Sequence, residues 1–179
     1  MKTIIRDGGV ADIEGIARVH VQGWRESYKD ILPAPALAGL TVEARISGWR
    51  HVMEQADDRS LLLVAEDPDG DIVGFAQGGP VRPDHAAIFE ADAEIYAIYL
   101  LDTVKRQGLG RALLGQVFAH LARQNFRSAG LWVLKDNHAA RGFYETFGGK
   151  AGREQELSFG ECSVTEIAYR FDPIPQPDH

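Results

Sequence analysis

The sequence predicts an α+β fold, a mixed and mostly antiparallel sheet flanked by helices, and three features of the chain support it. Hairpin patterns stand at both ends: apolar runs over residues 61–66 and 72–77 bracket Asp67-Pro68-Asp69-Gly70, and runs over 156–159 and 164–171 meet at Gly160-Glu161. Strand–helix–strand patterns fill the middle of the chain. Helices therefore cover the faces of one sheet, unlike a doubly wound nucleotide fold, where strand and helix alternate throughout.

In chain order, residues 3–6 read as a short strand. Asp12 is positioned to cap a helix whose stripe, Ile13, Ile16, Ala17, His20, Trp24 and Tyr28, recurs at helical spacing. Pro33 and Pro35 interrupt the chain before a second helical stretch over 42–53. After the first hairpin, Gly78-Gly79-Pro80 ends the pair. A strand over 94–101, a helix over 108–123 and a strand over 130–134 follow. A helix over 137–147 then stops at Gly148. Residues 1–173 are expected to form one domain, and 174–179 a short Pro-rich tail that frays from Asp172 onward.

Composition narrows the function. Of the 179 residues, 45% are hydrophobic and 25% charged, as in a globular protein with a core. No apolar run approaches the ~20 residues that span a bilayer, and no secretory leader pattern opens the chain, so the expected compartment is cytoplasmic. One cysteine, Cys162, excludes an internal disulfide and a cysteine-based zinc site, and it is expected as a small core or sheet residue. The net charge of −7 argues against nucleic acid as a partner. Residues 1–100 carry 9 Lys/Arg and 17 Asp/Glu, whereas 101–179 carry 10 and 9. The acidic first half suits a cationic ligand, and the basic patch over 101–135 suits a polyanionic small ligand.

The segment from Tyr99 to Leu114 runs from a strand through a Gly-containing loop, Lys105-Arg106-Gln107-Gly108-Leu109-Gly110-Arg111, straight into an amphipathic helix. The first turn of a helix leaves backbone N–H groups unpaired and carries partial positive charge. Glycines there let a phosphate approach the backbone. The third glycine of a dinucleotide fingerprint is missing, since Leu113 stands in its place, and so is the Gly-Lys-Ser/Thr of a Walker loop. Gly-x-Gly alone is also compatible with a purely structural helix start.

Downstream, Asn137-His138-Ala139-Ala140-Arg141-Gly142-Phe143-Tyr144 follows a strand. Ala139, Phe143 and Phe147 repeat at core spacing. Asn137 and Tyr144 share a neighbouring face ~10 Å apart along the axis. Lys105-x-x-Gly108-x-Gly110 followed by Asn137-x-x-Ala140-x-x-Phe143-Tyr144, in this order and separation, resembles the GNAT superfamily of acetyl-coenzyme A-dependent N-acetyltransferases, and the resemblance extends over nearly the whole chain. It departs from the family at Lys105, where Arg or Gln is more usual.

The resemblance implies a GNAT-like sheet and acetyl-CoA as cosubstrate, with no metal. It implies pyrophosphate binding by Arg106, Gln107, Gly108, Leu109, Gly110 and Arg111, and pantetheine pairing by the backbone of Ile98, Tyr99 and Leu100. Asn137 is expected near the coenzyme arm, and Tyr144 near the thioester sulfur as general acid. Glu94 matches a family general base, with an exposed strand glutamate or a water chain as the alternatives. Trp24 and Tyr28 are expected to wall the acceptor pocket, with His20 as a polar lining. Glu26, Glu90 and Asp92 are further acids that suit a cation. The implied partner is a primary amine on a small molecule or a protein; a membrane is not expected, and a homodimer stands as an open alternative to a monomer. Transfer from another acyl-CoA, such as succinyl- or propionyl-CoA, and a non-catalytic acyl-CoA sensor are the competing readings. A lysine-like amine of pKa ~10.4 is only about 0.04% neutral at pH 7, so ~4.6 kcal/mol must come from desolvation or a base.

Overall fold

A computed structural model describes residues 2–159 and 162–176. Its seven strands form one sheet in the order β1-β2-β3-β4-β5-β7-β6. They are β1 (Ile4–Asp7), β2 (Leu61–Glu66), β3 (Ile72–Pro80), β4 (Ala93–Leu100), β5 (Ala129–Leu134), β6 (Lys150–Phe159) and β7 (Cys162–Phe171). The helices are α1 (Ile13–Tyr28), α2 (Ala34–Ala38), α3 (Val42–Glu54), α4 (Pro83–Phe89), α5 (Leu109–Arg123) and α6 (His138–Glu145). All strand pairs are antiparallel except β4–β5. The mixed, mostly antiparallel sheet is as expected.

Apolar alternation explains how the layers divide. Ile16 and Val19 of α1 and Trp49 of α3 pack with Val64 and Phe75 on one face. Leu113, Leu114, Val117, Phe118 and Leu121 of α5 pack with Ile95, Leu131, Val133 and Ile167 on the other. Such burial of a large aliphatic or aromatic side chain contributes ~1.5–3 kcal/mol. Gly78 lets the two layers approach, because a Cβ there would lie 2.7 Å from the Val117 side chain.

The β4–β5 pair positions the site. Its ladder covers only Ala93↔Ala129 and Glu94↔Gly130, and beyond Glu94 the strands diverge. The β3–β4 register jumps from Gln77↔Ala97 to Gly78↔Ile95, leaving Tyr96 as a bulge residue. A bulge increases twist and re-aims the strand. Here it lies where β4 turns away from β5.

Several boundaries differ from expectation. β3 continues through Gly78-Gly79-Pro80, and β6 begins at Lys150. The short helices α2 and α4 each start with proline in the first turn, a favoured place because proline's missing N–H costs nothing there. Helix α6 is shorter than expected, with Asn137 as its cap and Gly148 at φ +80° shortly after its end. Cys162 lies in the sheet but is exposed, so its core alternative is corrected. The tail is also corrected. Ile174 is 3% exposed within the α5-side core, and its N–H donates to the Arg127 carbonyl at 2.9 Å. Residues 160–161 and 177–179, which include the expected hairpin joint and the tail's last proline, lie outside the described residues.

Candidate active site at the diverging strands

The loop before α5 is shaped by two left-handed residues, Arg106 at φ 60° and Gly108 at φ 82°. Left-handed residues in a turn are the geometry from which successive N–H groups can line an anion-binding concavity. The backbone N–H groups of Gln107, Gly108, Leu109 and Gly110 meet no acceptor among the described residues. A Cβ at Gly108 would stand in open space, whereas one at Gly110 would lie 3.2 Å from Leu100 and 3.6 Å from Phe143. Gly108 thus supplies conformation and access, and Gly110 supplies close packing of α5 against β4 and α6. Lys105 is tied to Asp102 at 2.6 Å, and the Arg111 guanidinium lies 4.9 Å from the Phe147 ring centre. A groove of about 620 Å³ runs along α5 from Gly108 and Arg111 and is also lined by Phe147, just after α6, and by Pro175.

Ile98, Tyr99 and Leu100 lie on the stretch of β4 that β5 does not pair. The side chains of Ile98 and Leu100 pack toward α5 and α6, and Tyr99 turns to the α1 face, stacked on His20 with ring centres 5.0 Å apart. Asn137 caps α6 by accepting from the Ala140 N–H at 3.1 Å. Its side-chain oxygen is therefore occupied, while no partner is formed by its amide nitrogen among the described residues.

Tyr144 is 8% exposed, and its hydroxyl has no hydrogen-bond partner among the described residues. Burial first, and then the neighbouring Tyr99, push its pKa well above the ordinary phenol value. The group therefore stays protonated. A protonated phenol can donate a hydrogen bond. Tyr28 and Tyr99 share this neighbourhood, their hydroxyls 3.4 Å apart and their pKa values raised mainly by burial.

Glu94 is where sequence reasoning and structure differ most. It is 1% exposed, which removes the exposed-glutamate alternative. Its oxygens accept from the Arg82 N–H at 3.1 Å, from Arg82 Nε at 3.1 and 3.2 Å and from Arg82 Nη2, and Oε1 lies 3.0 Å from His85 Nδ1. The donors are four nitrogens, Arg82 N, Nε and Nη2 and, in its Nδ1–H tautomer, His85, with Nε shared between the two oxygens; set against the roughly four lone-pair sites of a carboxylate, they leave Glu94 little acceptor capacity for an amine. Arg82 is held in its charged form chiefly by this hydrogen bonding. The His85 ring makes edge contacts with Phe89 and Trp132, whose Nε1 is buried without a partner among the described residues. Arg82 and His85 escaped the sequence reading, although Pro83 after Arg82 is a helix-start signal that would have placed both at the rim of α4.

Trp24 and Tyr28 form an aromatic wall with Phe159 beside Leu32, Leu37 and Leu134. Trp24 Nε1 is near enough to the Tyr99 hydroxyl to favour its ionisation, yet no acceptor among the described residues meets hydrogen-bond geometry. His20 is half-buried among the rings of Trp24, Trp49, Phe75 and Tyr99. It accepts from Trp49 Nε1 at 3.2 Å, and burial, with Arg45 as a second cause, lowers its pKa to about 3. The other three acids have structural partners. Glu26 accepts from the Asp102 N–H at 2.8 Å, Asp92 holds the Arg127 and Ser128 N–H groups at 3.0 and 2.9 Å, and Glu90 faces Arg170 at 4.0 Å.

The chain is similar to known proteins. The Acetyltransferase (GNAT) family matches residues 22–148. The uncharacterized N-acetyltransferase YuaI of Bacillus subtilis is 33% identical over 165 residues, spanning 91% of this chain and 89% of that protein. An L-methionine sulfoximine/L-methionine sulfone acetyltransferase of Pseudomonas paraeruginosa is 27% identical over 155 residues, spanning 83% and 80%. Among solved structures, the PaiA N-acetyltransferase of Thermoplasma acidophilum in complex with coenzyme A superimposes with a TM-score of 0.71 at 19% identity, covering 96% of this chain and 99% of that one.

Proposed function

The chain belongs to the acetyltransferase (GNAT) family and is an N-acetyltransferase, and from this premise we propose that it acetylates a primary amine on a small molecule by direct attack on acetyl-CoA. The observation that carries the reading is one seam that combines a row of unpaired N–H groups before α5, an unpaired β4 edge and a tyrosine whose ring is buried and whose hydroxyl has no partner among the described residues. A small acceptor is favoured by the Pseudomonas relative, whose name states a small molecule as substrate, and the aromatic wall of Trp24, Tyr28 and Phe159 offers it an apolar surface.

In this reading Arg106, Gln107, Gly108, Leu109, Gly110 and Arg111 hold the pyrophosphate. The open edge of β4 at Ile98, Tyr99 and Leu100 takes the pantetheine amides, with the Asn137 amide nitrogen beside the arm. A β4 N–H steadies the thioester oxygen as negative charge grows on it. The acceptor nitrogen loses its proton, bonds to the acetyl carbon, and the C–S bond breaks. Tyr144 donates a hydrogen bond to the departing sulfur, which leaves as thiolate or takes a proton from water. The amine's proton leaves through the His85–Glu94 pair: Arg82 and His85 take up most of Glu94's acceptor capacity, and His85, with 21% of its side chain exposed, is the half of the pair that solvent reaches.

The test is thiol release from acetyl-CoA with and without a panel of small amines and lysine peptides. Amine-dependent release with a small-molecule preference supports the reading. Coenzyme binding without release identifies a sensor, and faster release from succinyl- or propionyl-CoA identifies a different acyl donor.

A further inference from the structure

A buried carboxylate in the same cleft has no part in the chemistry described so far. Glu166 lies in β7 opposite Leu134 of β5 and Gln155 of β6. Its neighbour Ile167 packs under α5, so alternation turns Glu166 to the face of α1 and α4. The residue is 9% exposed. Its one hydrogen bond comes from Gln155 Nε2 to Oε1 at 2.6 Å, and it forms no ion pair among the described residues.

Glu94 offers the contrast. That carboxylate has five contacts from Arg82 and His85, whereas Glu166 has one contact, from a neutral amide. Buried carboxylates ordinarily have a cation or a full set of donors, because desolvation makes an incomplete set costly. Around Glu166 the surfaces are aromatic and apolar. Its cross-strand partner Leu134 packs with Trp24, Tyr28 and Phe159. The field of Glu166 reaches the Tyr28 hydroxyl from α1 and the Arg82 guanidinium ahead of α4, and Arg82 is already bound to Glu94. An incompletely bonded negative charge beside an aromatic wall is the surface that recognises an ammonium group.

We propose that Glu166 is the specificity-determining anchor for the acceptor's ammonium group, holding a cationic primary amine against Trp24, Tyr28 and Phe159. The assignment rests on the N-acetylation reading of this cleft. It gives Glu94 and Glu166 different roles: one is saturated by its own arginine, and the other keeps acceptor capacity toward the substrate.

The experiment compares the full chain with Glu166→Gln and Glu166→Asp on two acceptors, a cationic primary amine taken from the panel and hydroxylamine, which is neutral in mildly alkaline buffer. Gln keeps the shape and the Gln155 contact but removes the charge; Asp keeps the charge on a shorter arm. The expected result for Glu166→Gln is a rise in KM for the cationic amine of about 10- to 100-fold, the scale of one hydrogen bond to a charged group. Its kcat/KM for hydroxylamine and its acetyl-CoA affinity should be unchanged, and Glu166→Asp should recover part of the loss. An unchanged KM for the cation, or an equal fall on both acceptors, overturns the anchor. So does a wild-type enzyme that uses hydroxylamine but no cationic amine, although that outcome leaves acetyl transfer standing. A wild type that consumes no acetyl-CoA with any nucleophile overturns the functional reading itself, and the anchor with it.

Discussion

Replacing Glu94 by Gln separates a carboxylate that holds structure from one that also conducts a proton. Gln keeps one oxygen for the Arg82 N–H or guanidinium, but its amide nitrogen then faces a second donor where Oε1 or Oε2 accepted. Losing a charge-assisted hydrogen bond costs ~1.5–3 kcal/mol. Breaking a fully buried pair would cost ~3–5 kcal/mol, but the Arg82 side chain is 54% exposed and regains water, so the smaller figure applies. About 2 kcal/mol in a domain of this size lowers Tm by ~4–8 °C. On activity, turnover at neutral pH should fall by ~10²-fold and recover partly in alkali, where the acceptor is already neutral. Thermal melting and a rate–pH profile on the same Glu94→Gln preparation check both parts. A Tm within error of wild type would show that the ion pair adds nothing, and superimposable rate–pH profiles would show that the proton leaves by another route.

Other substitutions test other parts of the site. Tyr144→Phe should lower turnover by ~10²-fold with little change in acetyl-CoA affinity, and single-turnover kinetics beside calorimetry will show whether the loss lies in chemistry. Gly108→Val places a β-branched residue at φ 82° and a side chain in the open cradle. Calorimetry should then find coenzyme affinity sharply reduced while circular dichroism remains native; wild-type affinity would remove this loop from the coenzyme site. Asp12 is bonded to Arg6 through two oxygens at 2.9 and 2.7 Å, which holds its carboxyl below the usual range. Its folded-state pKa is depressed, so its contribution is complete above the unfolded value of ~3.9 and fades as pH falls through the folded value. Urea unfolding of Asp12→Asn should show a deficit of ~1 kcal/mol at neutral pH that closes in acid; a constant deficit would assign it to packing instead.

Periodicity made most of the fold legible. The stripe from Ile13 to Tyr28 marked α1, and the first hairpin was marked by its Asp-Gly turn, because burial on one face writes itself into spacing. Three things were hidden. The Tyr96 bulge depends on register across β3 and β4, which no local pattern records. Helix α4 is short and weakly amphipathic, so Arg82 and His85 went unnoticed although Pro83 marks its start. Glu166 was hidden by a plausible rule: with Ile167, Tyr169 and Phe171 facing inward, the alternate positions of β7 read as solvent-facing, yet helices cover both faces of this sheet. Within the site, the Gly108 loop and Tyr144 were readable as motifs. The saturation of Glu94 was not, because both donors that fill it come from α4 and the residue before it.

The two-residue ladder between β4 and β5 makes this sheet mechanically two sheets on one hinge. One leaf is β1 to β4 and the other is β5, β7 and β6; across the seam they share only the pairs at Ala93 and Glu94. An antiparallel seam of ordinary length would lock the leaves, but here the outer part of β4 has a lone backbone edge, like the selvedge of a cloth. A ligand whose amides bond to that edge would act as a strut between the leaves and stiffen parts of the molecule that it does not touch. Amide hydrogen exchange should register this as slowing that begins in β4 and spreads to β5 and α6, whose Tyr144 spans the gap.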